Sequence, residues 1–206
     1  IQFYGANCVL LSDKNARIVI DDNLTDLGSK SVAKAGDIAL FTGPHAAPVQ
    51  PPKIIIDQPG EYEVSGVSIN GIATRSHIDE EGQKNATMYK VAMEDLRVLV
   101  VGHIYPSLSD AQLEAIGMID IMIVPVGGNG YTLDPLGALK VIKAVDPKMV
   151  IPTHYDAKGL TFPVPQQTLE EAVKVFAMEP KEQTAKLKVK QGDLTDTMQL
   201  AILEQS

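Results

Sequence analysis

The stretch 120–157 constrains the fold more than any other part of the chain, because it reads as strand, glycine-rich loop, helix and strand. The apolar run 121–124 is typical of a buried strand, and the glycines of the loop 127–130 allow tight backbone turns. Asp134-Pro135 then begins a helix, since aspartate caps free N–H groups and proline suits the first helical position. A second apolar run, 149–151, follows the helix. This order of elements is typical of an α/β protein.

His154 follows the second of these strands directly, and the other three histidines stand in similar places. His45, His77 and His103 each come directly or within a few residues after a predicted strand. In α/β proteins, chemistry usually occurs just past the carboxyl ends of strands, and imidazole is the commonest protein ligand for zinc and related ions. Four imidazoles at one rim would form a metal site. The alternative is that each is an unrelated surface or loop histidine.

The rest of the chain is rich in β-structure up to residue 101 and mixed after it. Capping-box spacings begin at Ser109 and Thr168. They predict a short helix after Ser109 and a helix at about 168–178, in addition to the helix of the opening stretch at about 132–145. Residues 23–37 are predicted to be a loop with one helical turn. Apolar or alternating runs between turn residues predict further strands at 3–11, 16–20, 38–41, 54–56, 61–64, 67–73, 86–93, 97–101, 186–190 and 198–203.

Composition and charge narrow the class of protein. A chain of 206 residues with 45% hydrophobic and 21% charged residues suits one compact α/β (α+β) domain over residues 1–206. The net charge of −8 and the lack of a Lys/Arg run disfavour a nucleic-acid binder. No apolar run is long enough for a membrane span, and no signal-peptide pattern is visible. The single cysteine, Cys8, fits a reducing compartment, so we expect a cytoplasmic protein; a homo-oligomer stays open.

Several short motifs resemble those of the metallo-β-lactamase superfamily, in the branch of small metal-dependent hydrolases that contains ascorbate-phosphate-lactonase-like proteins. The resemblance covers nearly the whole length, and its most specific parts flank the helix of the stretch 120–157. The matching segments are YGANC at 4–8, IVID at 18–21, VGH at 101–103, PVGGN at 125–129 and IPTHY at 151–155. The resemblance implies an αββα sandwich, with two sheets face to face, helices outside them and metal ions at one edge.

Laid on the family's pattern, the metal ligands of this chain are incomplete. The family has a His-x-His-x-Asp-His run where this chain has GPHAAP at 43–48, so His45 is the only ligand left in that run. His77 and His154 match two further family histidines, while His103 stands where the family has an aspartate that bridges two ions. The resemblance therefore implies a reduced site of these four histidines. It would hold one divalent ion at most, Zn²⁺ or another, or none, because two adjacent cations need the bridging oxygen.

The resemblance also implies hydrolysis of a small lactone, ester or phosphorylated substrate by a metal-activated water. If His45, His77 and His154 bind the ion, His103 is free to act as the base; if all four bind, the site is closed. Asp21 matches a family position beside the site, although a hydrogen-bonding role at the strand end explains it equally well. The alternative function is a non-catalytic binding or assembly module that keeps the fold and has lost the metals.

Overall fold

Thirteen strands form two β-sheets in the computed structural model, which describes residues 1–206. The strands of the first sheet, in order across it, are β1 (Gln2–Gly5), β2 (Cys8–Ser12), β3 (Arg17–Ile20), β4 (Ile38–Leu40) and β5 (Ile54–Ile56). Those of the second sheet are β12 (Pro180–Thr184), β13 (Gln199–Leu203), β11 (Met149–Thr153), β10 (Ile121–Pro125), β9 (Leu96–Val100), β8 (Ala86–Met93), β7 (Val67–Thr74) and β6 (Gly60–Val64). Both sheets are mixed. β1 to β3 and β6 to β9 pair antiparallel, and the remaining pairs are parallel.

The chain has three α-helices, α1 (Asp110–Ile116), α2 (Pro135–Val145) and α3 (Leu169–Phe176). α1 and α2 pack on the second sheet and on each other, and α3 packs on α2. Their starts follow from the caps. The Asp134 side chain accepts a hydrogen bond from the N–H of Gly137, and Ser109 and Thr168 each form a complete capping box. The three predicted helices are therefore confirmed, with α2 and α3 slightly shorter than expected.

Alternation of side chains along the strands divides the core. Ile18 and Ile20 of β3 belong to the main hydrophobic cluster, which joins the two sheets. Val19, between them, belongs to a smaller cluster with Leu24 and Ala33, because successive strand residues point to opposite faces. The segment that carries Leu24 and Ala33, including a 3₁₀ turn, thus covers the outer face of the first sheet. The expected sandwich of two mixed sheets with helical structure outside is confirmed.

Some predicted strands differ in the structure. The run 3–11 is not one strand but a hairpin of β1 and β2, because the backbone turns at Ala6, whose φ is 47°. β5 does not join the antiparallel strands that follow it but pairs with β4 in the first sheet. The run 186–190 is not a strand, since Leu187 exchanges backbone hydrogen bonds with Ile1 instead. The strand beside β13 is β12, a short, charged and exposed edge strand that sequence patterning missed.

Candidate active site

The candidate active site lies where strand ends of both sheets meet. Two adjoining cavities of about 130 and 210 Å³ are found there. Asp21 directly follows β3 of the first sheet, and His103 comes shortly after β9 of the second. The carboxyl ends of strands in mixed α/β folds form such clefts because the loops beyond them diverge. The residues that line both cavities are Asp21, Asn23, Pro44, His103 and Tyr131.

Three of the four histidines lie side by side in this cleft. The ring centroid of His103 is 4.8 Å from that of His154 and 5.8 Å from that of His77. The Tyr131 ring closes the group, with its centroid 5.4 Å from those of His103 and His154. We call His77, His103 and His154 the histidine cluster. The glycine-rich loop before α2 supplies Tyr131, which sequence reasoning did not single out.

Each member of the histidine cluster has its Nδ1 atom next to an oxygen acceptor. His103 Nδ1 lies 3.0 Å from the Tyr131 carbonyl oxygen, and His154 Nδ1 lies 3.1 Å from Gln166 Oε1. His77 Nδ1 lies 3.4 Å from the carbonyl oxygen of His103. Because carbonyl oxygens only accept, each Nδ1 carries the proton and donates it. All three Nε2 atoms therefore keep a lone pair, and none has a hydrogen-bond partner in the chain.

Burial keeps the histidine cluster neutral at pH 7. Burial lowers the pKa of His154 from 6.5 to about 3, and the neighbouring His103 adds to this shift. Burial likewise lowers the pKa of His103 and of His77. A neutral imidazole with a free lone pair can bind a metal ion or accept a proton. The cluster thus presents three nitrogen donors to the cleft.

The backbone around His154 is specialised to hold its ring. His154 is in the left-handed region with φ 53°, and its N–H donates to the carbonyl oxygen of Ala6 at 2.7 Å. Such strain in a non-glycine residue is concentrated at functional sites. Gly127 lets Gln166 approach, since a Cβ at this glycine would collide with Gln166 Oε1 and with the His154 carbonyl oxygen. Gln166 Nε2 donates to Val164 O at 2.8 Å, which turns Oε1 toward His154.

Asp21 is the acidic group of the cleft. Its φ of 46° is also left-handed, and its side chain is buried. The carboxylate accepts hydrogen bonds from Thr42 N at 2.7 Å and from Thr42 Oγ1 at 2.6 Å. Burial raises the pKa of Asp21 to about 6, against the opposing effect of the Thr42 hydrogen bonds. A carboxylate with a pKa close to neutral is suited to exchange protons at pH 7.

The raised pKa of Asp21 predicts a pH-dependent stability difference from Asp21→Asn. The folded state binds the Asp21 proton more tightly than the unfolded state, whose pKa is 3.8. The stability that Asp21 contributes is therefore full below about pH 4 and is lost as pH rises through about 6. Urea unfolding gives the free energy of unfolding of Asp21→Asn relative to the native chain. Between pH 4 and pH 7 this difference should shift in favour of the variant by on the order of 3 kcal/mol. A pH-independent difference would contradict the raised pKa.

The structure does not bring the His45 ring to the histidine cluster. It stacks on Phe41, with centroids 3.7 Å apart. Its Nε2 lies 3.3 Å from Asp57 Oδ2, and its Nδ1 lies 2.7 Å from the Ala46 carbonyl oxygen. Both ring nitrogens are thus occupied, and His45 lines neither cavity. Asp57, which the sequence left unplaced, is the partner that holds it.

The donor set of the histidine cluster is three neutral imidazole nitrogens, which zinc accepts as ligands. As the side chains stand, no group of three or more His, Cys, Asp or Glu residues is arranged to hold an ion. His77 is the cluster member held least firmly, since its hydrogen bond is 3.4 Å long and the residue is half-buried. Its ring is the one best able to move toward an ion.

Comparison with known proteins identifies the family of this chain. The family model of the beta-lactamase superfamily domain matches residues 1–154, which is most of the chain. The chain belongs to the metallo-β-lactamase superfamily.

Its relatives include proteins named as metal-dependent hydrolases. A UPF0173 metal-dependent hydrolase of Thermococcus onnurineus is 29% identical over 102 residues, which cover 47% of this chain and 44% of that protein. A UPF0173 protein of Pyrococcus abyssi is 24% identical over 182 residues, covering 77% of this chain and 84% of that protein. The chain thus spans less than half of the first relative's length.

A solved structure shares the fold along the whole chain. It is that of a Thermotoga maritima protein assigned to the Zn-dependent hydrolases of the metallo-β-lactamase superfamily. It is 24% identical, covers 98% of this chain and 97% of its own, and has a TM-score of 0.76. At this identity the likeness concerns the fold.

Proposed function

We propose that this protein is a metal-dependent hydrolase with a reduced site that holds at most one divalent ion. The ligands would be His77, His103 and His154, and the substrate a small lactone, ester or phosphorylated molecule. The observation that carries the proposal is the shared tautomer of the histidine cluster. Each Nδ1 donates to an oxygen and each Nε2 is free, as in metal-binding histidines, whose second nitrogen almost always donates to an oxygen.

Each residue of the cleft would have its own role. Because His45 lies against Asp57 and away from the cluster, His103 would be the third imidazole ligand. Asp21 would then act as the general base in place of His103. A bound ion would lower the pKa of a water molecule and so supply the nucleophile. Asp21, ionised at pH 7, would accept a proton, and Thr42 would keep its carboxylate in place. Gln166 would hold His154 in the tautomer that leaves Nε2 free.

A second candidate is a non-catalytic binding module. It is favoured by the absence of any group of three ligands already arranged to hold an ion. It is also favoured by Ala47 and Pro48, which stand at two ligand positions of the family's first run.

No helix of the chain is long and apolar enough to cross a membrane. The free, buried thiol of Cys8 supports our proposal of a cytoplasmic location.

Metal content separates these candidates. After incubation with excess Zn²⁺ or Mn²⁺ and removal of free ions, we expect up to one ion per chain by elemental analysis. His154→Ala should lose the ion because it removes a ligand. The matched control is His45→Ala, which should keep it, since the His45 nitrogens are occupied by Asp57 and Ala46.

Three outcomes would change the proposal. Two ions per chain would refute the reduced site. Loss of the ion in His45→Ala would place His45 among the ligands. No ion in any of the proteins, together with no hydrolysis of lactones, esters or phosphate esters, would favour the binding module.

A further inference from the structure

A short turn beside the cleft has His77 and Ile78 as its two central residues. This segment, residues 76–79, is called the 76–79 turn below. Two hydrogen bonds close it between its first and last residues. Asp79 N donates to the Ser76 carbonyl oxygen at 3.2 Å, and Asp79 Oδ2 accepts a hydrogen bond from Ser76 N at 2.8 Å. The turn therefore fixes the directions in which His77 and Ile78 leave the backbone.

Asp79, which is buried, also fastens the turn to the rest of its loop. Its Oδ2 accepts a second hydrogen bond from Asn85 N at 2.9 Å, and its Oδ1 accepts one from Asn85 Nδ2 at 2.8 Å. Its carbonyl oxygen accepts hydrogen bonds from Arg75 Nε at 3.1 Å and from Arg75 Nη2 at 2.9 Å. The two ends of the loop between β7 and β8 are thus joined through one side chain and its carbonyl group.

Backbone hydrogen bonds attach this loop to the segment that carries His103. His77 N donates to the carbonyl oxygen of His103 at 3.3 Å, and Tyr105 N donates to that of Arg75 at 2.8 Å. The guanidinium carbon of Arg75 lies 4.1 Å from the centroid of the Tyr105 ring. The position of Ile78 is therefore set relative to the histidine cluster.

Ile78 is an apolar side chain at the mouth of the cleft. It is 77% exposed and lines the cavity of about 210 Å³. A single exposed isoleucine is common on protein surfaces, so its exposure alone indicates nothing. Its place does, because Pro44, Ala86 and Tyr131 add further apolar atoms to the lining of the same cavity. Together they form an apolar wall beside the histidine cluster.

This wall concerns the part of a substrate that lies away from the reacting group. Asp21 is the one carboxyl that lines the 210 Å³ cavity, and a divalent ion on the histidine cluster would add two positive charges next to it. The reacting group at the ion can therefore be neutral or anionic. The remainder of the molecule faces the wall, where each methylene taken out of water raises the affinity by up to about fourfold.

We propose that Ile78 is a specificity-determining residue that contacts an apolar group of the substrate, and that Asp79 is the positioning residue that holds it in place. The proposal rests on the proposed hydrolase function and narrows its substrates to molecules with an apolar group beyond the reacting group. It applies equally to an ester and to a phosphorylated molecule.

Binding of n-alkanols tests the apolar wall without relying on activity or on a metal ion. The full chain is titrated with ethanol, n-butanol and n-hexanol while the methyl NMR signals of Ile78 are followed. We expect the affinity to rise by about two- to fourfold for each added methylene, and the Ile78 signals to shift. Equal affinity for all three alkanols would overturn the proposal.

Substitution of Ile78 tests whether this residue carries the dependence on chain length. Ile78→Ser should lower the rise to less than about twofold for each methylene, because the apolar side chain is lost. Ile78→Asn, whose side chain suits a turn, serves the same purpose if serine disturbs the fold. Met118→Ser is the matched control, since Met118 is 76% exposed but lines a different cavity, and it should leave the rise unchanged. An unchanged rise in folded Ile78 variants would overturn the role of Ile78.

Two Asp79 variants test the positioning role. Asp79→Ala removes the acceptor of Ser76 N and Asn85 N, so we expect its dependence on chain length to fall to that of Ile78→Ser. Asp79→Asn keeps an oxygen for both N–H groups and should restore most of the dependence. A residue that served stability alone would change urea unfolding and leave the chain-length dependence as it is. That result in Asp79→Ala would overturn the positioning role.

The outcomes also separate this proposal from the proposed function. Metal binding and hydrolysis in a protein whose alkanol affinity does not depend on chain length would overturn the apolar wall and leave the hydrolase intact. Alkanol binding that depends on Ile78, in a protein that binds no ion and hydrolyses no ester or phosphate ester, would refute the hydrolase and support the apolar wall as a binding site.

Discussion

Gly127→Ala is expected to lower the free energy of unfolding by about 1–3 kcal/mol and to displace His154, although it adds a single methyl group. A Cβ at Gly127 would collide with Gln166 Oε1 and with the carbonyl oxygen of His154. The glutamine side chain can rotate away, but the carbonyl belongs to the backbone. It can move only together with the left-handed residue His154, whose N–H is bonded to Ala6. We therefore expect loss of the Gln166–His154 hydrogen bond in addition to lower stability.

Urea unfolding measures the stability change, and ¹⁵N NMR of the His154 ring reports whether the proton stays on Nδ1. Gly192→Ala is the control, because a Cβ there meets no atom within 4 Å and its φ lies outside the left-handed region. It should change stability by no more than about 0.5 kcal/mol. If Gly127→Ala matched the native chain in both measurements, the close approach at Gly127 would not be what holds His154.

Asp120→Ala is expected to lower the free energy of unfolding by about 1–3 kcal/mol, because it leaves the Arg97 backbone N–H without its side-chain acceptor. The Asp120 side chain is fully buried, and its Oδ2 accepts hydrogen bonds from Arg97 N and Arg97 Nε, both at 2.9 Å. The Arg97 side chain is 34% exposed, so its guanidinium can regain water after the substitution. The main cost falls on the Arg97 backbone N–H, which loses its side-chain acceptor.

The matched variant Asp120→Asn keeps an acceptor for the Arg97 N–H and should lose less than Asp120→Ala. Asp196→Ala removes an exposed aspartate without side-chain hydrogen bonds and should stay within about 0.5 kcal/mol of the native chain. Thermal or urea unfolding gives all three values. Equal losses for Asp120→Asn and Asp120→Ala would mean that the charge, and not the backbone acceptor, carries the effect.

Local sequence could predict most elements around the cleft. Asp134-Pro135 sets the start of α2, and the apolar runs at β10 and β11 set the strands on either side of it. These features depend on contacts between near neighbours, namely caps, turns and side-chain alternation. The prediction of a strand at 186–190 was wrong because the backbone partner of this segment is distant in the sequence. Its alternation suits a strand, but its backbone partner is Ile1, at the other end of the chain.

The sequence by itself determined most of the elements and put Asp21, His77, His103 and His154 after strands, because propensities and turn residues act over a few positions. Only the tertiary structure decided what these side chains meet. In the folded chain His45 contacts Asp57 and not the histidine cluster, and Gln166 contacts His154. Asn7 shows the reason most clearly. Its amide is oriented by Thr153, 146 residues away, and its unpaired donor exists only after the β1–β2 turn packs against β11. No local pattern encodes such a contact, because it depends on where loops place distant segments.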